Sequence, residues 1–198
     1  MSPTAIRYHR GMGRWEPNAQ GRLVQAALLL YVERGFEQTT VAEIAKLAGL
    51  TERTFFRYFA DKREVLFWGA GALQELLVST VATAPESEAP IATIRSAIEA
   101  AGATFQERRE GSLLRQSVIS LNTELQEREL IKLASLAGAM AQGLRQRGVP
   151  EPGASLSAEA GIAVLKIAFE RWVNAMGEPD LPQLIRDTFD EFKAATSG

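Results

Sequence analysis

The stretch from Gly49 to Lys62, GLTERTFFRYFADK, sets Arg53, Arg57 and Lys62 among the rings of Phe55, Phe56 and Phe59. An arginine pairs bidentately with a guanine edge, and a threonine donates to a phosphate or touches a thymine methyl. Phe55 and Phe59 stand four apart, share one helical face and can pack inward. That leaves Thr51, Arg53, Thr54, Arg57, Tyr58 and Lys62 outward. Tyr58 and Lys62 then stand where phosphate contacts flank a groove, and Phe56 is left to touch sugar or a methyl group. An amphipathic packing helix would carry the same mixture of rings and charges, so the surrounding elements have to decide.

Those elements read as helices. A first helix runs from about Asn18, a good N-cap, to Arg34, with Leu23, Ala26, Ala27, Leu30 and Tyr31 as its apolar stripe. Gly35 ends it. Thr40, with Glu43 three residues on, opens a second helix with a capping box; Ile44, Leu47 and Ala48 form its buried face. Gly49 suits a left-handed turn because it has no Cβ. A short third helix from Thr51 to about Phe59 then completes a helix–turn–helix, a motif that lays its second helix in the DNA major groove.

Composition narrows the function classes. The 198 residues hold no cysteine and one histidine, His9. Disulfides, thiolate metal sites and histidine acid–base chemistry therefore drop out, and no metal, cofactor or catalytic residue is expected. No glycine-rich phosphate loop follows a strand, so an enzyme is not expected either. Net charge is −2, yet residues 1–68 hold ten Lys/Arg against seven Asp/Glu, and the rest twelve against seventeen. A cationic head on an anionic body meets a polyanion through the head alone, unlike an architectural DNA binder that is basic all over. The longest apolar run noted, Ala26 to Val32, is too short to cross a membrane. The polar, glycine-broken start lacks the pattern of a signal peptide, so a cytoplasmic protein with no membrane partner is expected.

Residues 1–17 read as a basic arm. Arg7, Arg10 and Arg14 can enter a minor groove, or the arm is a solvated tail. A fourth helix is expected from Lys62 to about Val81, and further helices at 91–109, 112–121, 124–147, 157–176 and 181–195. The fold class is all-α, about nine helices, divided into the arm, a three-helix head at 18–67 and a helical body at 68–198.

The run FEQTTVAEIAKLAGLTERTFFRYFADKREVL, Phe36 to Leu66, resembles the DNA-binding signature of the tetracycline-repressor family of transcriptional regulators. The resemblance covers residues 19–67 and includes the preceding helix that ends in ERGF. It implies that Thr40 offers its backbone N–H to phosphate. It also implies that Thr51, Glu52, Arg53 and Thr54 lead the recognition helix, with Glu52 and Arg53 setting base preference, and that Tyr58 and Lys62 hold phosphates. It further implies a homodimer, made by the last two helices, on a palindromic double-stranded operator. The apolar content of 157–176 agrees with that, and burial inside a monomer would also account for it.

In such regulators the body encloses a pocket for a small-molecule effector, which releases the DNA. Phe105, Leu114, Arg115, Val118, Met140, Phe169 and Trp172 are the candidates, with core packing the plainer reading for Met140, Phe169 and Trp172. Arg115, on a largely buried helix, needs an anionic partner: Glu170, Glu124 or an acidic ligand group. Whether ligand ends repression or promotes binding, as in an activator or a co-repressor system, stays open in the residues.

Overall fold

A computed structural model describes residues 19–196 and divides the chain into two compact units, one ending at Val65 and one beginning at Leu66. Among the described residues there are nine α-helices and no strand. The basic arm, with Arg7, Arg10 and Arg14, and the expected N-cap Asn18 lie outside them.

The first unit holds α1 (Ala19–Arg34), α2 (Val41–Leu47) and α3 (Glu52–Tyr58). The stripe on α1 is buried as its period requires: Leu23, Ala26, Ala27, Leu30 and Tyr31. Phe36, Ile44, Ala45, Phe55 and Phe59 close the core over it. Leu47 departs from expectation and is exposed. Ile44 and Ala48, four apart, with Ala45 between, set the inward direction, and Leu47 falls off that face.

The second unit holds α4 (Ala70–Thr83), α5 (Pro90–Glu107), α6 (Arg109–Ser120), α7 (Thr123–Gln146), α8 (Gly153–Asn174) and α9 (Leu181–Thr196). Helices α4, α5, α7, α8 and α9 share one core, with Leu77, Ile94, Ile98, Met140, Leu144, Trp172 and Ile185 fully buried. Proline at the first turn of α5 costs no hydrogen bond, because that N–H has no intrahelical partner.

Two boundaries differ from the sequence reading. The expected fourth helix is split: Glu64–Phe67 is a 3-10 turn, and α4 begins only at Ala70. Asp61 starts the turn, accepting from the amides of Arg63 at 2.8 Å and Glu64 at 3.1 Å. Gly69, the N-cap of α4, then marks the break, since a glycine inside a helix costs about 1 kcal/mol. Helix α8 begins at Gly153, earlier than expected, because the Glu151 carboxylate accepts the Ser155 amide at 3.3 Å and its hydroxyl at 2.9 Å. A longer apolar stretch than the one weighed in the sequence also exists. Residues Glu64–Thr83 pass a membrane-span test on length and composition. They form no continuous α-helix, and Leu77 and Val81 are buried in the core of the second unit.

Candidate nucleic-acid interface

The turn between α2 and α3 is a helix C-terminal motif. Gly49, at φ 65, donates its N–H to Lys46 O at 3.1 Å, and Leu50 N–H reaches Ala45 O at 2.8 Å. The two bonds satisfy carbonyls that the helix end would orphan, and the left-handed residue between them favours glycine. Thr51 follows at once as the cap of α3, its hydroxyl accepting from the Thr54 amide at 3.2 Å and lying 3.0 Å from the Thr54 hydroxyl. The chain thus leaves one helix and enters the next within four residues, 48–51, which fixes their crossing.

On α3 the inward and outward faces separate cleanly. Phe55 and Phe59 are buried, with ring centroids 5.5 Å apart. Thr51, Glu52, Arg53, Phe56, Arg57 and Tyr58 are exposed. Phe56 keeps 55% of its surface open while its edge meets the Phe55 ring at 5.5 Å. The Arg57 guanidinium lies over the Tyr58 ring at 4.8 Å and donates to its hydroxyl at 3.0 Å, so these two side chains form one outward unit. Glu52 and Arg53 carry no hydrogen bond or ion pair to the described residues, which leaves a carboxylate and a guanidinium free on the first turn.

Two residues expected at phosphates are otherwise engaged. The Thr40 amide donates to the Glu43 carboxylate at 2.9 Å, the Thr40 hydroxyl donates to it at 2.8 Å, and the Glu43 amide returns a bond at 3.3 Å. The capping box therefore occupies the N–H that was to meet phosphate, and places a carboxylate beside it. Those bonds from the Thr40 backbone and side chain, with Arg34 at 3.1 Å, hold the Glu43 carboxyl below its usual range. Lys62 turns inward. Its ammonium donates to the carbonyls of Phe36 at 2.8 Å, Thr39 at 3.0 Å and Glu37 at 3.3 Å, over the Phe36 ring at 4.4 Å. Those three bonds engage all three of its hydrogens within the head.

Sequence reasoning missed the partners of that lysine. Tyr31 was read as one more apolar position on α1, yet its hydroxyl donates to Lys62 O at 2.7 Å. Burial and the nearby Asp61 charge push its phenol well above the ordinary range, so it stays a donor. A buried tyrosine needs a partner for its hydroxyl, which was the available signal.

In the body, the structure brings Phe105, Phe169 and Trp172 together, with centroids 5.5 Å apart for the first pair and 5.3 Å for the second. Met140 belongs to the same core. Val118 is buried outside that cluster and Leu114 is half-buried. The Trp172 indole donates to Gln106 Oε1 at 3.0 Å and Pro179 O at 3.1 Å, and Gln106 also accepts the Leu181 amide at 3.0 Å. Gln106, unnoticed in the sequence, thus ties α5 to α8 and to the start of α9. Arg115 pairs with neither expected acid. It donates to Glu129 at 2.8 Å and to Leu66 O at 2.7 Å, over the Phe67 ring at 5.1 Å. Glu129 rather than Glu124 faces it because the register of α7 against α6 sets the partner.

Residues 23–67 match the family model of bacterial regulatory proteins, tetR family. The HTH-type transcriptional regulator TcmR of Streptomyces glaucescens is 35% identical over 79 residues, 40% of this chain and about a third (35%) of that protein. The fatty acid degradation regulator FadR of Bacillus halodurans superposes with a TM-score of 0.63 at 20% identity, over 86% of this chain and 95% of its own. Thermus thermophilus FadR, a repressor solved in complex with lauroyl-CoA, does so with a TM-score of 0.55 at 22% identity, over 89% and 94%. At these identities the two solved structures speak for the fold.

Proposed function

We propose that the chain is a helix–turn–helix transcriptional regulator of the tetR family, a reading that the match over residues 23–67 supports, and that it is a cytoplasmic homodimeric repressor of a palindromic operator, released by a small, partly apolar ligand. The observation that carries this is α3: a capped seven-residue helix whose inner rings fix it and whose first turn offers Glu52 and Arg53 unpaired to a groove. Arg53 reads a base, Glu52 and Phe56 refine the choice, and Thr51, Thr54, Arg57 and Tyr58 serve the flanking backbone. The arm residues Arg7, Arg10 and Arg14 reach a neighbouring minor groove.

One recognition helix contacts too few bases to select a site, and two-fold pairing supplies the second. Supporting a dimer through α8 and α9, Leu156 and Ile167 stand 65% and 51% exposed on α8, and Phe192 stands 37% exposed on α9. The aromatic group of Phe105, Phe169 and Trp172 supports an apolar part in the effector, and Met140, of the same core, would have to give way to admit it; Leu114 and Val118 stay candidates for the same pocket. Arg115, held by Glu129, is not proposed as an anion site. A ligand releases DNA only if it prefers the conformation that misfits the operator.

Enrichment of duplexes from a random library tests the reading, with light scattering on the resulting complex. A palindrome bound by two chains is expected, and acyl-CoA thioesters are the first effectors to titrate. Binding that fades with salt and enriches nothing would contradict it.

A further inference from the structure

We infer that Lys62 is a positioning residue for the recognition helix, setting preference for operator over random DNA rather than overall affinity for DNA. The inference rests on the reading of α3 as the base reader. A seven-residue helix is too short to hold itself, so its placement comes from its contacts. Phe55 and Phe59 fix its inner face, and its C-cap at Phe59 lies just before Lys62.

From there the Lys62 ammonium reaches back to the segment between α1 and α2. Its bond to Thr39 O, at 3.0 Å, lands on the residue directly before Thr40, the cap of α2. The bonds to Phe36 O and Glu37 O hold the rest of that connection. The Tyr31 hydroxyl answers in the other direction, onto Lys62 O at 2.7 Å. One residue therefore joins the exit of α3 to the entry of α2 and to α1, which closes the helix–turn–helix from the side opposite its turn. Thr39 is 1% exposed and its hydroxyl bonds Gly35 O at 2.9 Å, so the anchor is itself held.

A phosphate contact and a positioning contact predict different salt behaviour. Each neutralised phosphate adds about 0.9 to the slope of log affinity against log salt. A positioning contact leaves that slope alone and moves the base edges out of register. The test uses Lys62→Met, which keeps the stem and removes the donors, and Tyr31→Phe, which breaks the returning bond at a buried site remote from DNA. Fluorescence anisotropy with the selected operator and a scrambled duplex of equal length is measured across salt, well below each variant's melting temperature.

The expected result is a loss of operator preference in both variants of about tenfold, the worth of one well-placed base contact. Affinity for the scrambled duplex and its salt slope stay at wild-type values. Weakening of both duplexes alike in Lys62→Met, with a slope shallower by about two ions, roughly one for each chain of the dimer, would make the residue a phosphate contact and overturn the inference. Full preference retained in Tyr31→Phe would overturn it as well, and would do so even if Lys62→Met failed to fold. A wild type without preference would instead overturn the sequence-specific reading, and the inference with it.

Discussion

A Cβ built on Gly161 would lie 2.3 Å from Cγ2 of Ile94. Helices α8 and α5 touch there at closest approach, and the atom in the way belongs to a β-branched side chain fixed near its backbone. Gly161→Ala should therefore destabilise the protein by about 1–3 kcal/mol, the usual cost of overpacking, despite alanine's better helix propensity. Gly102→Ala should cost less, because the atom it meets at 2.4 Å is the flexible end of Ile185. Urea unfolding of both variants checks the order. Equal stability, or a more stable Gly161→Ala, would mean that α5 and α8 stand further apart.

Leu156 and Ile167 are the large apolar residues of α8 that its own chain leaves exposed. Exchanging both for glutamate should turn a dimer into a monomer by light scattering. Far-UV circular dichroism should stay unchanged, since exposed positions shift stability by only about 0.5 kcal/mol. A double variant that remained dimeric would place the interface elsewhere.

Asp61 gives the head a defined acid response. Partial burial, the largest single influence, raises its pKa. Hydrogen bonds from the Arg63 side chain and from the amides of Glu64 and Arg63 outweigh it, and the folded value ends below the ordinary one. A depressed carboxylate stabilises the fold fully above its unfolded pKa of about 4, and that contribution is lost as pH falls through the lower folded value. The stability gap between wild type and Asp61→Asn should be constant from pH 6 to 8, as about the neutral plateau requires, and should shrink below about pH 4. A gap that did not change on acidification would mean that Asp61 keeps its ordinary pKa.

The head was the more legible part, because its signals are local. Thr40 with Glu43 and Gly49 with Thr51 carry their meaning within a few residues, and the structure forms the caps and the turn where the sequence put them. The partners of Lys62 were not legible, because they are backbone carbonyls 23 to 26 residues away and a carbonyl has no sequence signature. At Thr40 the capping box was legible, and it engages the same amide that the resemblance assigns to a phosphate. In the body, the run from Leu114 to Ile119 pointed to an anionic partner for Arg115. It could not give the register of α7 that selects Glu129 over Glu124. Gln106 was invisible for the same reason, since it matters only once α8 and α9 converge on it.

The central claim is that the first turn of α3 reads base edges, with Arg53 foremost. The most direct measurement enriches binding sites from a random duplex library with wild type and Arg53→Ala in parallel, at one fixed salt concentration. The account predicts a palindrome for wild type. In Arg53→Ala, one symmetric pair of positions should lose its preference, with affinity for the wild-type site down by about 1–3 kcal/mol. Identical sites and affinities from the two proteins would contradict it, as would a wild type that enriches nothing.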